Sequence, residues 1–270
     1  MKEMQMWWLE LIPGFKPLGV LHIGAETGGE RFIYEDAGLA VVWVEGRLEA
    51  FQELQKNISP FPRQSAHHLT VTAIDHQPVI FRILDKKDSS TVLSLTDLHD
   101  HHYGFKMEEE RPVNGRRIDE YFNEFPEPLL AKCNLLVIDI QGAELLALES
   151  MGELINNFQV AKIEISVFTP YIGGATLKSI DDFMVERLFV RRSMTLGGLS
   201  GDAIYVSVDR VTTASKAQMW VSRNWSTILR TRIFRRLARF LRRDIYLRFF
   251  QSTIVSPFLY ENTVGRVNNS

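Results

Sequence analysis

The sequence predicts an α/β protein built on a doubly wound, mostly parallel β-sheet. Apolar runs recur along the chain, and several are continuous rather than alternating, as in strands buried on both faces of a parallel sheet. Segments with helical spacing separate many of these runs, and that alternation is the pattern of a doubly wound fold. With 270 residues, the chain can bury a large core and carry a smaller appendage.

The predicted elements follow one another in a regular order, with one interruption. We expect strands at the apolar runs 18–24, 40–45, 68–75, 134–140, 160–167 and 202–208. We expect helices where apolar residues recur every three or four positions, at 49–57, 144–155 and 177–188. The segment 78–122 interrupts the alternation with an extra strand, a polar loop and a short extended piece. Insertions of this kind often build a substrate site.

Charge is unevenly distributed along the chain. The chain has 31 Lys and Arg residues and 33 Asp and Glu residues. Of these, 11 bases and 2 acids lie in 211–270, which leaves 20 bases and 31 acids before that point. This contrast predicts three parts: a helical lead-in over 1–17, an α/β domain over 18–210 and a basic helical extension over 211–270.

The segment 223–250 carries nine arginines and has one apolar face, which predicts an amphipathic helix. An anionic membrane surface or an acidic partner would suit it, and so would packing on the acidic domain of the same chain. Nucleic acid is not an expected partner, because the domain is acidic and no nucleic-acid motif accompanies the arginines.

Three features predict a cytoplasmic protein. The single cysteine, Cys133, cannot form an internal disulfide, which suits a reducing compartment. The N-terminal stretch carries acids around a short apolar run and resembles no signal peptide. No apolar run approaches the roughly 20 residues that span a bilayer. A peripheral position at the inner membrane surface would depend on the basic extension.

The stretch "LHIGAETGGERFIYEDAGLAVVWVE" (21–45) combines a glycine turn with an acid at the end of the next strand. Gly24 and Glu45 should meet where ligands bind to open parallel sheets, and the carboxylate can accept both hydroxyls of a ribose. A dinucleotide fingerprint would need glycine at 24, 26 and 29, but Glu26 occupies the middle position and would repel a phosphate. The pattern therefore favours S-adenosylmethionine over NAD. The alternative is an ordinary turn with a surface Glu.

A second group of acids lies in "LLVIDIQGAELLALESM" (135–151). Asp139 ends a buried strand on the ligand side of the sheet, and such an acid must find a partner. Glu144 opens the next helix, where capping explains it as well as a function does. Asp75 ends the third predicted strand and could reach an adenine amino group, although a turn-forming Asp explains it almost as well.

From about Val20 to Val208 the chain resembles the FkbM-type S-adenosylmethionine-dependent methyltransferases. The resemblance is carried by "VLHIGAETGGERFIYEDAG", "VVWVE", "SSTVLSLTDLHDHHY", "RPVNGRRIDEYF", "LLVIDIQGAELLALESM", "IEISVFTPYIGG" and "GDAIYVSV". It implies a Rossmann-like class I methyltransferase domain over 18–210 and O-methylation of sugars in glycans or of polyketide hydroxyls.

The resemblance also implies site residues. The family element D-x-[EQ]-G-x-E corresponds to Asp139, Gln141, Gly142 and Glu144. Many members have Asp where this chain has His22, so Glu26 or Glu30 could hold the methionine end of the cofactor instead. The candidate cofactor residues are His22, Gly24, Glu26, Gly28, Glu45, Asp75, Asp139, Gln141 and Gly142.

Methyl transfer to an alcohol requires alignment and removal of one proton, so a general base is expected. The candidates are Asp139 and the histidines of "HDHHYG", chiefly His99 and His102. The candidate substrate residues are Glu144, Tyr103 and Tyr171. No metal is expected, because the histidines lack a ligand spacing. The expected function is O-methylation of a hydroxyl on a glycan, glycolipid precursor or similar natural product. The alternatives are a nucleotide-dependent oxidoreductase and a non-catalytic module that binds through its basic tail.

Overall fold

The computed structural model describes residues 12, 14–96, 106–166, 169, 171–197 and 200–208. The basic extension over 211–270 lies outside the described residues, so its helix, its partners and the cytoplasmic location stay predictions. Of the helical lead-in, only 12 and 14–17 are described, and they form a bend, a turn and irregular chain. No helix in the described part of the chain is long and apolar enough to cross a membrane.

Nine strands form two sheets in the described residues. They are β1 (Gly19–Ile23), β2 (Ala40–Glu45), β3 (Gln64–His68), β4 (Gln77–Leu84), β5 (Met107–Gly115), β6 (Leu135–Ile138), β7 (Val160–Ser166), β8 (Phe189–Leu196) and β9 (Ser200–Ser207). Seven of them make one sheet in the order β3-β2-β1-β6-β7-β9-β8, while β4 and β5 pair separately and antiparallel. The first five strands of the large sheet are parallel, and β9 runs antiparallel to both β7 and β8. The prediction of a mostly parallel α/β sheet is confirmed.

Along the sequence, each helix lies between two strands of the large sheet. They are α1 (Arg31–Asp36), α2 (Leu48–Ile58), α3 (Ile118–Glu124), α4 (Glu144–Ser150) and α5 (Leu177–Glu186), with 3₁₀ turns at Lys87–Ser89, Pro128–Lys132 and Gly152–Asn157. β1, β2 and β6 are buried along their whole length, as their continuous apolar sequences predict.

The strand order reverses between β1 and β6. The chain runs outward from β1 to β2 and β3 on one side, and outward from β6 to β7 on the other. In sheets of this kind ligands bind outside the carboxyl ends of the strands at this switch point. The fold therefore places the ends of β1, β2 and β6 around one crevice.

Several element boundaries differ from the prediction. The third strand is the polar segment 64–68 rather than the apolar segment 68–75, because β3 lies at the edge of the sheet and needs no apolar sequence on both faces. The helix predicted over 144–155 ends at Ser150 and continues as a 3₁₀ turn beginning at Gly152, which has a φ of +49°. β8 was not predicted. The insertion 78–122 holds β4, β5 and also helix α3.

His22 lies on the face of β1 opposite the main core. Leu21 and Ile23 join the large apolar cluster, so the two-residue period of the strand turns His22 the other way. There its ring stacks on Trp43 at 4.9 Å between centroids, and its Nδ1 lies 3.1 Å from the hydroxyl of Tyr34. Burial lowers the pKa of His22 to about 4, so the ring is neutral at neutral pH.

His22→Phe should change how stability depends on pH. The unfolded chain protonates this histidine below about 6.5 and the folded chain only near 4, so the wild type loses stability as the pH falls through that window. Relative to the variant, we expect the wild type to lose up to about 3 kcal/mol between those pH values. Chemical denaturation of both proteins at several pH values measures the difference.

In the variant the hydroxyl of Tyr34 loses its partner on His22. This loss lowers the free energy of unfolding equally at every pH, so it does not alter the pH dependence of stability. Parallel pH dependences of the two proteins would show that His22 is not the titrating group.

Candidate active site

A cleft opens at the carboxyl ends of β1, β2 and β6, with an empty volume of about 610 Å³. Residues of the loops after these strands and of the 78–122 insertion line it. The lining residues from the insertion are Phe81, Asp88, Ser90, Thr91 and Val92. The expectation that the insertion helps to build a site agrees with this arrangement, although the sequence did not identify these five residues.

The glycine turn packs tightly against the end of β6. Gly24 has a φ of +89°, and a Cβ there would lie 1.7 Å from the carbonyl oxygen of Asp139. The backbone N–H groups of Gly24 and Ala25 both donate to the carbonyl of Val44, at 2.9 and 3.1 Å. Gly24 is therefore required by the close approach of two chain segments.

Glu45 holds the turn from the end of β2. Its Oε2 accepts the backbone N–H of Glu26 at 2.7 Å, and its Oε1 accepts that of Arg47 at 2.7 Å. Burial raises the pKa of Glu45 to about 7, against the lowering effect of these two bonds. A carboxylate has about four lone-pair sites, so two remain for a ligand in the cleft.

The charged groups of the lining are mainly acidic. Glu26, Glu45, Asp88 and Asp139 line the cleft together with one base, Arg47. Glu26 is exposed and occupies the left-handed region with a φ of +47°. Because carboxylates repel phosphate and attract a cation, this lining disfavours a pyrophosphate ligand.

The loop after β6 is held by Glu144 from inside the protein. Glu144 is buried, and its Oε1 accepts the backbone N–H groups of Gly142 at 2.9 Å and Ile140 at 3.2 Å. Burial raises its pKa to about 7. The structure gives Glu144 a structural role, because its carboxylate faces its own backbone and is not part of the lining. Its predicted contact with substrate stays a prediction.

Tyr171 is buried and packs against this loop. Gly142 has a φ of +92°, and a Cβ there would lie 2.4 Å from the ring of Tyr171. The tyrosine hydroxyl lies 3.3 Å from Oε1 of Gln141 and 3.4 Å from the carbonyl of Ser89 in the insertion. Tyr171 thus joins the insertion to the loop. Tyr171 is not among the lining residues of the cleft, and its predicted contact with substrate stays a prediction.

Three predicted cofactor residues lie away from the cleft. His22 packs between Trp43 and Tyr34, as described above. Gly28 has a φ of +76° and faces Leu54 of α2. Asp75 accepts from the guanidinium of Arg116 and from the backbone N–H of Arg117, so it fixes the chain after β5. The contacts of these three residues are with other parts of the protein, and their predicted contacts with the cofactor stay predictions.

Five predicted cofactor residues do meet in one place. Gly24, Glu26, Glu45, Asp139 and Gln141 all line the cleft, although they come from loops up to 117 positions apart in the numbering. Gly142 follows them as the buried turn behind Gln141. His99, His102 and Tyr103 lie outside the described residues, so their roles stay predictions.

One acid near the cleft was missed. Gln141 Nε2 donates to Oδ1 of Asp139 at 3.0 Å and to Oε2 of Glu164 on β7 at 3.1 Å. Glu164 belongs to the "IEISV" run, where its position inside a strand gave no sign that it would reach Asp139. Within the described residues no group of three His, Cys, Asp or Glu is arranged to hold a metal ion.

A family model described as the methyltransferase FkbM domain matches residues 22–191, which include every lining residue of the cleft. The chain belongs to the FkbM methyltransferase family. This FkbM protein is therefore an S-adenosylmethionine-dependent methyltransferase, and S-adenosylmethionine is its cofactor. The oxidoreductase alternative is excluded by the same match.

Solved structures with a similar fold include two other methyltransferases. Magnesium protoporphyrin IX methyltransferase from Synechocystis PCC 6803, with bound S-adenosylmethionine, is 10% identical with a TM-score of 0.43, over 76% of this chain and 77% of that one. A ribosomal protein L11 methylase from Lactobacillus delbrueckii subsp. bulgaricus is 13% identical with a TM-score of 0.41, over 74% and 76%. No curated protein sequence matches this FkbM protein significantly.

Gly24→Ala should destabilise the protein and abolish cofactor binding. The new Cβ would overlap the Asp139 carbonyl, and neither backbone segment can move without disturbing β1 or β6. We expect a loss of about 3 kcal/mol, seen as a lower melting temperature. Gly29→Ala is the matched control, because nothing lies within 4 Å of a Cβ at that position. Equal melting temperatures for the two variants would contradict the tight approach.

Proposed function

We propose that this FkbM methyltransferase transfers the methyl group of S-adenosylmethionine to a hydroxyl of a sugar in a glycan or glycolipid precursor. The observation that carries the proposal is the acid-rich cleft at the switch point, with Glu45 at one end and Asp139 at the other. A ligand with ribose hydroxyls, a positive charge and no phosphate suits such a lining.

The residues around Glu45 fit the nucleoside part of the cofactor. The two lone-pair sites left on the Glu45 carboxylate are available to the ribose hydroxyls. Gly24 and Glu26 hold the backbone of the turn close to that carboxylate. When bound, S-adenosylmethionine supplies an electrophilic methyl group on a positively charged sulfur. The acids of the lining stabilise that charge, and they are unfavourable for the phosphates of a dinucleotide.

The residues around Asp139 fit a hydroxyl acceptor. Asp139 is exposed at the cleft, so its carboxylate can accept the proton that an alcohol must lose. Gln141 donates to Asp139, Thr91 donates to the carbonyl of Gln141, and Ser90 also lines the cleft. A sugar presents several hydroxyls that can exchange hydrogen bonds with these groups, whereas an acceptor bearing phosphate or carboxylate would meet acids.

The first test measures cofactor binding by calorimetry with S-adenosylmethionine, S-adenosylhomocysteine and NAD. The wild type should bind the first two and not NAD, and Glu45→Ala should weaken binding by about 100-fold, because hydrogen bonds to a charged group contribute about 1.5–3 kcal/mol each. Glu53→Ala on the exposed face of α2 is the control and should bind as the wild type does. Binding of NAD alone would overturn the assignment of the cleft.

The second test measures methyl transfer to a panel of methyl glycosides, with radiolabelled methyl groups on S-adenosylmethionine. At saturating S-adenosylmethionine, Asp139→Asn should lower turnover about 10²- to 10⁴-fold, because the amide cannot take a proton. Unchanged turnover in this variant would remove Asp139 from the mechanism. Cofactor binding with no transfer to any hydroxyl by the wild type would favour the alternative of a non-catalytic module.

A further inference from the structure

Asp139 and Glu164 form a pair of carboxyl groups behind the acceptor end of the cleft. β6 and β7 are parallel, with Ile138 opposite Ile163. The residues that follow these two, Asp139 and Glu164, are therefore neighbours. Gln141 Nε2 donates to both of them, at 3.0 and 3.1 Å. Asp139 lies at the cleft, and Glu164 lies behind it and is half-buried.

The surroundings of the pair are negative. Asp202 on β9 is directly opposite Glu164 in the sheet, and Glu144 on α4 adds a further acid. The nearby base, Lys162, forms an ion pair with Asp202 at 2.6 Å. Burial, and then the Asp139 carboxylate, raise the pKa of Glu164 far above its ordinary value. Two carboxylates this close resist double ionisation, so the pair keeps one proton at neutral pH.

Gln141 fixes the geometry of the pair. Its Oε1 faces the hydroxyl of buried Tyr171, which leaves its amide N–H groups for the two carboxyls. Its backbone is in the left-handed region, with a φ of +54°. Such a conformation is unfavourable for a residue other than glycine and persists where the surroundings require it. The loop therefore holds one amide between two acids at the edge of the cleft.

We propose that Asp139 and Glu164 act as a single proton-sharing base, in which Asp139 contacts the acceptor hydroxyl and Glu164 is the positioning residue. This inference rests on the proposed function. In the step, the acceptor oxygen forms a bond to the methyl carbon, the carbon–sulfur bond breaks, and its electron pair stays on sulfur as a neutral thioether. The hydroxyl proton passes to Asp139 and is then shared with Glu164.

The physical reason is the repulsion between two neighbouring carboxylates. A single carboxylate of ordinary pKa is a weak base for an alcohol. When both members are ionised, each disfavours the other's charge, so the pair accepts a proton more strongly than either acid alone. The fraction of protein with both acids ionised grows as the pH rises above neutrality, and the rate of methyl transfer should grow with it.

The experiment first follows the titration of the pair in the full-length protein without ligands, by NMR of protein labelled with ¹³C in the Glu carboxyl groups. We expect one Glu carboxyl to titrate well above pH 7 in the wild type, and its signal to vanish in Glu164→Gln. In Asp139→Asn that signal should move toward the ordinary Glu range. This assignment by substitution is needed because Glu45 and Glu144 titrate near pH 7. His22 also interacts with Asp139, but its pKa is lowered to about 4, so its ring is neutral throughout this range.

The second measurement is the pH dependence of methyl transfer to the glycoside that the wild type methylates. The wild-type rate should rise across pH 7–10. Glu164→Gln should level off near pH 6 and fall about ten- to hundredfold below the wild type at pH 9, whereas Glu164→Asp should restore the rise. A purely structural role would lower the rate of Glu164→Gln equally at every pH.

The outcomes separate the two proposals. If no Glu signal titrates above pH 7, or if Glu164→Gln keeps the wild-type pH profile, the shared-proton pair is wrong, while methyl transfer by the wild type still supports the proposed function. If the titration is as expected but no hydroxyl is methylated, the proposed acceptor class is wrong, and with it the role of the pair as a base.

Discussion

At the carboxyl end of the sheet, the chain that leaves β1 passes against the chain that leaves β6. A Cβ on Gly24 would lie 1.7 Å from the carbonyl of Asp139, and the N–H of Asp139 donates to the carbonyl of Ile23 at 2.9 Å. This contact brings the turn that carries Glu26 next to the loop that carries Gln141. The cleft depends on the absence of a side chain at this one position.

Both loops of the cleft are held in the same way. In each case a buried glutamate accepts backbone N–H groups. Glu45 accepts one from the turn after β1 and one from Arg47 after β2, and Glu144 accepts two from the loop after β6. The turn after β1 and the loop after β6 each contain one left-handed residue that is not glycine. Hydrogen bonds to a charged group stabilise by about 1.5–3 kcal/mol each. A strained backbone residue costs about 1–3 kcal/mol. Each carboxylate can therefore offset the strain of its loop, and Glu26 and Gln141 are kept at the cleft in rigid positions.

The acceptor end is coupled to the insertion. Thr91 donates to the carbonyl of Gln141 at 3.0 Å, and Tyr171 joins Gln141 to the carbonyl of Ser89. The same glutamine holds Asp139 and Glu164 together. A change in the insertion is therefore transmitted through Gln141 to the acids that would handle the proton. One side chain, that of Gln141, therefore connects Tyr171 to Asp139 and Glu164.

The sequence by itself determined the parallel sheet, the family and the places of Gly24, Glu45 and Asp139. Continuous apolar runs predict buried strands, and the carboxyl ends of such strands meet at one edge, so the three residues could be placed from local pattern alone. The edge strand β3 could not be found in this way, because its polar sequence carries no strong pattern. Only the tertiary structure decided that His22 packs on Trp43, that Asp75 holds Arg116 and that Tyr171 and Glu144 brace a loop. It also decided that Glu164 meets Asp139. Each of these outcomes depends on which neighbour covers a given face, and contacts between residues far apart in the chain leave no trace in local periodicity.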